Sequence, residues 1–162
     1  MLKRAKVAII MGSDSDLATM TEAIKILKDY GVKHEVKILS AHRSPDDTAK
    51  FSKNARKNGF SLIIAGAGGA AHLAGIVASH TTLPVIGVPM ETKELKGIDS
   101  LLSTLQMPSG VPVATVAIGK TGAKNAAILA LEILGITDKA IEKKLDILKK
   151  SLVESVRSKN RS

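Results

Sequence analysis

The chain has 162 residues, 44% of them hydrophobic, which suits one folded domain with a substantial core and argues against disorder. It contains no cysteine, which excludes disulfides, thiolate metal sites and cysteine nucleophiles. No apolar run approaches the ~18 residues that a membrane helix needs, and acidic residues stand where a signal-peptide cleavage site would lie. We therefore expect a cytoplasmic protein that does not bind membranes.

The net charge of +9 raises the question of nucleic-acid binding, but much of the excess lies in the C-terminal region, residues 139–162. One Tyr, two Phe and no Trp leave almost nothing on which bases could stack. A solvated basic tail and an anionic small-molecule substrate account for the charge more simply, so we expect no nucleic-acid partner.

Apolar runs alternate along the chain with stretches of helical periodicity. The apolar runs predict strands at residues 6–11, 34–39, 61–65, 84–88 and 111–118. The helical stretches predict helices at residues 16–30, 45–58, 73–80, 99–107, 123–134 and 138–156.

This alternation predicts a single α/β domain over residues 1–162, a three-layer α/β/α doubly wound parallel sheet of flavodoxin-like type. The apolar strands are typical of a sheet buried on both faces. The helix at 138–156 forms a C-terminal extension, and residues 157–162 a flexible tail. Such sheets bind ligands beyond the carboxyl ends of their strands, which is where three polar loops of this sequence fall.

The first loop, MGSDSD at residues 11–16, leads into a helix whose free backbone amides suit a phosphate. Ser13 can add a hydroxyl, and the carboxylate of Asp16 suits ribose hydroxyls. The alternative is that Asp14, Ser15 or Asp16 only caps the helix.

The second loop, SAHRSP at residues 40–45, places an acid-base group beside an anion ligand. His42 can exchange a proton near neutral pH, and Arg43 offers a fork of donors to a phosphate. The alternative for His42 is a surface histidine beside a turn.

The third loop, GAGGAAH at residues 66–72, lets backbone approach a ligand closely. The alternative is a tight turn without a ligand, closed by His72. The loop also fits the dinucleotide pattern G-x-G-x-x-[GA], with Glu91 near the position of a ribose-binding acid. That pattern normally follows the first strand, however, whereas this loop follows the third.

Two further site classes find no support. Gly119-Lys120-Thr121 resembles the end of a P-loop, but Ala114 stands where the pattern needs glycine. The four histidines show no paired metal-ligand spacing, so we expect no metal site.

Six motifs occur together in one order and spacing, and they resemble the bacterial 5-(carboxyamino)imidazole ribonucleotide mutases of purine biosynthesis. They are GSDSD, SAHRSP, GAGGAAHLAG, the GVP at 87–89, DSLLSTLQMPSGVPV and AIGKTGAKNAA. The resemblance covers residues 5–135 and implies a cofactor-independent enzyme, assembled as a homo-octamer, whose C-terminal helix reaches a neighbouring subunit. The reaction moves a carboxylate from the exocyclic amine of the ribonucleotide to a ring carbon.

The resemblance also implies roles for single residues. Ser13 and Arg43 match phosphate ligands, Asp16 matches a ribose ligand, and Ser40 matches a further substrate contact. His42 matches the catalytic general acid-base.

The third loop matches the segment that holds the migrating carboxylate, which implies substrate contacts from Ala67, Gly68, Gly69 and His72. Ala74 departs from the family, which usually has proline there, and this removes no chemical group. Two other functions remain possible at this point: a direct CO2-using carboxylase of aminoimidazole ribonucleotide, and a non-enzymatic nucleotide-binding module.

Overall fold

A computed structural model describes residues 5–160 of the chain. Its five strands are β1 (Lys6–Met11), β2 (Lys33–Ile38), β3 (Leu62–Ala67), β4 (Val85–Pro89) and β5 (Ala114–Thr115). Its helices are α1 (Leu17–Asp29), α2 (Pro45–Asn54), α3 (Leu73–His80), α4 (Ile98–Leu105), α5 (Gly119–Gly135) and α6 (Lys139–Lys159). A short 3-10 helix, Asp14–Asp16, precedes α1.

The strands are parallel and lie side by side in the order β2-β1-β3-β4-β5. This is the flavodoxin-like order, which confirms the predicted fold class. The chain reverses its direction of progress across the sheet between β1 and β3. The carboxyl ends of those two strands are therefore where a ligand is expected.

Residues cluster into two compact units, one ending at Ala130 and the other beginning at Leu131. The first unit holds the sheet, α1 to α4 and most of α5, and the second holds the end of α5 and all of α6. Among residues 5–160, no helix is long and apolar enough to cross a membrane.

The core of the first unit is built on β1 and β3. Ala8 and Ile10 of β1 and Ile63 of β3 are inaccessible to solvent and pack with Leu73 and Val77 of α3. The alternate residues of β1 and β3 are equally buried, because successive side chains in a strand point to opposite faces. Burial on both faces is what the continuous apolar runs predicted for these two strands.

Strand β2 departs from that expectation. Its sequence KHEVKI is half-buried or exposed throughout, and Ile38 is 55% exposed. The reason is its place at the end of the sheet, where it pairs only with β1.

Several predicted boundaries also move; helix α5, for example, begins at Gly119 rather than 123. Strand β5 shrinks from the expected 111–118 to Ala114–Thr115, because it pairs with β4 alone and Pro112 has no amide proton to donate. Helix α2 ends at Asn54 rather than 58, and the chain turns through Gly59 at φ +83°. Helix α6 continues to Lys159, so residues 157–159 are helical rather than part of a flexible tail. Residues 161 and 162 of that predicted tail lie outside the described residues.

Candidate active site

A cleft of about 440 Å³ opens at the carboxyl ends of β1, β2 and β3. Three loops surround it: the first loop follows β1, the second follows β2 and the third follows β3, whose last two residues are the first two of that loop. Each loop leads into a helix, so the amino ends of α1, α2 and α3 follow the loops at the same edge of the sheet. Helix amino ends carry partial positive charge, which favours an anionic ligand here.

In the first loop, Ser13 is the N-cap of the short 3-10 helix. Its hydroxyl accepts a hydrogen bond from the Ser15 amide at 3.3 Å, which caps the short 3-10 helix. Asp16 precedes α1 in the N-cap position, yet its side chain makes no capping hydrogen bond within the described residues. The capping alternative therefore does not account for Asp16, whose carboxylate lines the cleft.

The carboxyl of Asp16 has a raised pKa. Burial raises the pKa of its carboxyl, and the backbone and hydroxyl hydrogen bonds offered by Ser13 and Ser15 offset only part of that effect. Arg43 lies close enough to stabilise the ionised form. A half-buried carboxylate of this kind gains from hydroxyl donors on a ligand, which is what a ribose offers.

The second loop closes on itself. The Ser44 hydroxyl accepts from the Ser40 amide and donates to the Ser40 carbonyl, both at 3.1 Å. The Ser40 hydroxyl in turn accepts from the Arg43 amide at 3.1 Å. The Arg43 guanidinium reaches across to donate to the Gly12 carbonyl at 2.8 Å, which joins the second loop to the first. Arg43 and Ser13 are thereby held at one end of the cleft.

The third loop begins with backbone conformations that favour glycine. Gly69 has φ +66°, and a Cβ on Gly68 would lie 3.2 Å from the Cβ of Met90. The loop ends at His72, whose Nδ1 lies 2.9 Å from Nε2 of His42. The two rings meet edge to face, with centroids 5.0 Å apart. At this distance one nitrogen donates to the other, and the tautomers of the two rings decide which is the donor.

Most of the predicted site residues meet at this cleft. Seven of the nine line it: Ser13, Asp16, Ser40, His42, Arg43, Ala67 and Gly68. Gly69 and His72 are not among the lining residues of the described chain; Gly69 bonds away from the cleft, and His72 contacts His42. Whether these nine residues serve catalysis or binding remains a prediction.

Two of the other lining residues come from a segment that the sequence did not place at the cleft. Met90 and Glu91 follow β4, and Met90 donates its amide to the Ala67 carbonyl at 2.9 Å. The signal was the order of strands, because β4 neighbours β3 and its carboxyl end opens onto the same edge. In the sequence, Glu91 stands out only through its place in the dinucleotide pattern.

Within residues 5–160, no group of three or more His, Asp or Glu side chains is arranged to hold a metal ion. The polar groups that line the cleft are hydroxyls, a guanidinium, an imidazole, two carboxylates and backbone amides. Such a set can bind a phosphate and a sugar and can transfer a proton. Its chemistry is acid-base and electrostatic.

Comparisons with known proteins agree with the geometry. The pattern of the AIR carboxylase family matches residues 6–155. The N5-carboxyaminoimidazole ribonucleotide mutase of Pyrococcus horikoshii is 58% identical over 153 residues, covering 94% of this chain and 85% of that protein. The enzyme of the same name from Escherichia coli K12 is 51% identical over 152 residues, covering 94% and 90%. Treponema denticola PurE has a similar crystal structure, with a TM-score of 0.87, 29% identity and 96% coverage of both chains.

Proposed function

The chain belongs to the AIR carboxylase family, and from this premise we propose that it catalyses the N5-carboxyaminoimidazole ribonucleotide mutase reaction of purine biosynthesis. The observation that supports the mechanism most directly is that one histidine, one arginine and a glycine-rich backbone segment line a single cleft. The cleft volume of about 440 Å³ is in the range of small-molecule sites.

We assign the nucleotide to the first and second loops. The Ser13 hydroxyl and the Arg43 guanidinium bind the phosphate, which also gains from the amino end of α1. Asp16 accepts hydrogen bonds from the ribose hydroxyls. The Ser40 hydroxyl accepts hydrogen bonds from the Arg43 amide and from its Nε, so the guanidinium that binds the phosphate is oriented before substrate arrives. The imidazole base then lies towards His42 and the third loop.

His42 handles the proton in both halves of the reaction. When the N–C bond of the carbamate breaks, its electron pair stays on nitrogen, and protonated His42 donates a proton there. The ring carbon then attacks the CO2, and a C–C bond forms. Neutral His42 removes the hydrogen of that carbon as a proton, which restores the aromatic ring. One residue that acts first as acid and then as base leaves no net change in protons.

The third loop holds the carboxyl group between these steps. Backbone beside Ala67 and Gly68, which line the cleft, stabilises the carboxylate charge without bulky side chains that would compete for its space. Gly69, whose amide donates to the Ser100 hydroxyl, contributes by shaping the loop. His72 does not line the cleft, so we assign it to orienting His42 through the 2.9 Å contact. Confinement of CO2 between bond cleavage and bond formation is what makes the transfer intramolecular.

A direct assay tests the proposed function. Purified protein is mixed with N5-carboxyaminoimidazole ribonucleotide without ATP or added metal, and product is followed by its absorbance. We expect conversion to 4-carboxy-5-aminoimidazole ribonucleotide. A parallel reaction with aminoimidazole ribonucleotide and bicarbonate identifies a direct carboxylase instead. Binding of FMN or NAD without turnover of either ribonucleotide would show a non-enzymatic module.

The phosphate assignment has its own test. Arg43→Ala should raise KM about 10-fold or more while changing kcat less, because a charge-assisted hydrogen bond to phosphate is lost. Arg43→Lys keeps the charge but not the fork of donors, and we expect an intermediate KM. An unchanged KM in the alanine variant would rule out the phosphate role.

We also propose that the enzyme is a cytoplasmic homo-octamer. The apolar residues of α4 and of the second half of α6 support association, since Ile98, Leu102, Leu152 and Val156 are each at least 52% exposed. Exposed apolar groups of this kind are typical of protein interfaces. Light scattering on the full chain and on Leu102→Glu should show an octamer and a smaller species. Cell fractionation tests the location.

A further inference from the structure

Two serines of helix α4 form hydrogen bonds with the backbone amide and the backbone carbonyl of Gly69 in the third loop. The Gly69 amide donates to the Ser100 hydroxyl at 2.9 Å, and the Ser103 hydroxyl donates to the Gly69 carbonyl at 3.3 Å. The two serines are three positions apart and so lie on one side of the helix. No cleft-lining role is needed to explain them, because neither serine is among the lining residues of the described chain.

The loop needs an external anchor. Glycine loses more conformational freedom on folding than any other residue, and Gly69 adopts the left-handed region at φ +66°. The loop's own bonds are short-range, from the Ala71 amide to the Gly69 carbonyl and from the His72 amide to the Ala70 carbonyl, both at 2.8 Å. The hydroxyls of α4 therefore supply the fixed reference to which this loop is attached.

The anchor is itself held rigidly at its beginning. Thr92, in the segment after β4, donates its hydroxyl to the Asp99 carboxylate at 2.8 Å and accepts from the Gly97 amide at 3.0 Å. Ser100 is fully buried and Ser103 is half-buried. The Ser103 hydroxyl is also shared with the Asp99 carbonyl at 2.7 Å. Ser100 is thus the firmer of the two contacts.

We propose that Ser100, assisted by Ser103, is a positioning residue that fixes Gly69 and so keeps the amides of the third loop aimed at the migrating carboxyl group. The proposal rests on the proposed function. Its consequence concerns what happens after the N–C bond breaks and the nitrogen is protonated. With the loop fixed, CO2 is captured by the ring carbon. With the loop loose, CO2 escapes, and aminoimidazole ribonucleotide is released instead of the isomerised product.

The first experiment measures this partition. For Ser100→Ala and Ser103→Ala, released aminoimidazole ribonucleotide and isomerised product are quantified during turnover. Ser52→Ala is the matched control, because Ser52 is a fully buried helical serine whose hydroxyl donates only to the Thr48 carbonyl of its own helix. We expect Ser100→Ala to lower kcat about 10-fold with KM nearly unchanged and to raise the released fraction several-fold. Ser103→Ala should show a smaller rise, and the control none.

A released fraction in both loop variants equal to that of Ser52→Ala overturns the proposal. If Ser100→Ala does not fold, Ser103→Ala alone decides, because Ser103 is less buried and its change leaves the Gly69 amide bonded. A protein that unfolds partially would lose kcat without a specific rise in released aminoimidazole ribonucleotide.

A second experiment does not depend on turnover. Hydrogen exchange followed by mass spectrometry on the peptide that contains residues 66–72 reports whether the loop has been loosened. We expect faster exchange of this peptide in Ser100→Ala than in Ser52→Ala, with the β1 peptide unchanged in both. If the wild-type chain fails to isomerise the carbamate, the proposed function falls while the exchange result still reports the anchor. If the wild type isomerises and exchange does not change, the anchor is wrong and the proposed function stands.

Discussion

The second and third loops stand side by side over one cleft and contribute one histidine each, but they are held in different ways. The second loop is closed by its own residues, with Ser44 and Ser40 exchanging bonds over four positions. The third loop is held by serines more than thirty positions later in the chain. A local turn survives most distant changes, whereas a glycine loop anchored from another helix depends on the packing of that helix. Two similar loops at one site can therefore be disrupted by substitutions in different parts of the chain.

The largest effect should come from the histidine of the second loop. His42→Asn removes the proposed general acid-base, and we expect kcat to fall about 10²-fold or more. Substrate binding should persist, since Ser13 and Arg43 are untouched. Calorimetric titration with the product separates binding from turnover. Near-normal kcat in a folded variant would remove His42 from the mechanism.

The histidine of the third loop should matter less. His72→Leu removes the contact with His42, and we expect kcat to fall about 10-fold with little change in KM. Asparagine places a polar atom near the position of Nδ1, so His72→Asn should recover most of the rate if His72 only orients His42. Steady-state kinetics of both variants decide the matter. An asparagine variant as slow as the leucine variant would show that His72 transfers the proton itself.

A local hydroxyl can be compared with the distant ones. Ser44→Ala removes two hydrogen bonds that close the second loop, and we expect the free energy of unfolding to fall by about 1 kcal/mol. Because the bonds from Arg43 to Ser40 and to Gly12 stay in place, kcat should change less than about 3-fold. Urea unfolding at fixed protein concentration measures the stability. Ser79→Ala is the control, as its hydroxyl bonds only to the Ile76 carbonyl of its own helix.

The smallest effect concerns the carboxylate of the first loop, Asp16. Because burial raises the pKa of Asp16, the folded chain binds that proton more tightly than the unfolded chain does. The protonated Asp16 carboxyl therefore stabilises the folded chain fully when the pH is below 3.8, the pKa in the unfolded chain. This stabilisation is lost as the pH rises through the higher pKa of the folded chain. At pH 7 the ionised carboxylate thus lowers stability.

Asp16→Asn should therefore raise the Tm of the ligand-free protein at neutral pH by about 1–3 °C, while weakening substrate binding. Thermal unfolding at pH 7 and near pH 4 measures the change, which should shrink at the lower pH. A gain in Tm that grows towards acidic pH would contradict a burial-raised pKa for the Asp16 carboxyl.

The sequence predicted the alternation of strands and helices because apolar periodicity is a local property. Strand β1 was predicted without error at 6–11, since all of its apolar residues are buried between two layers. Strand β5 was overestimated, because the pairing of an edge strand depends on its one neighbour rather than on its own composition. The exposure of β2 was not predicted for a related reason: the sequence of a strand does not determine whether it lies at the edge or in the middle of the sheet.

The candidate site was predictable where loops follow strands. Ser13, Asp16, His42 and Arg43 lie at carboxyl ends of parallel strands, and such ends converge at one edge. The contact between His42 and His72 and the anchoring of Gly69 by Ser100 were not predictable, because they join segments whose distance in space depends on helix packing. The motif DSLLSTLQMPSGVPV carried meaning in the sequence only through a resemblance. In the structure two of its three serines, Ser100 and Ser103, form hydrogen bonds with Gly69.

The charge on strand β2 has a consequence for how copies of this chain can associate. Glu35 pairs with Lys6 at 2.6 Å and with Lys37 at 2.8 Å, and hydrogen bonds from Lys37 and Lys6 hold its pKa below its usual range. An edge strand decorated with charges resists pairing with the edge of another sheet, since desolvating those groups is costly. Sheet extension, the route to fibres, is thereby disfavoured at this end. The proposed octamer would therefore form through the apolar helix faces, where a closed arrangement of copies can end its growth.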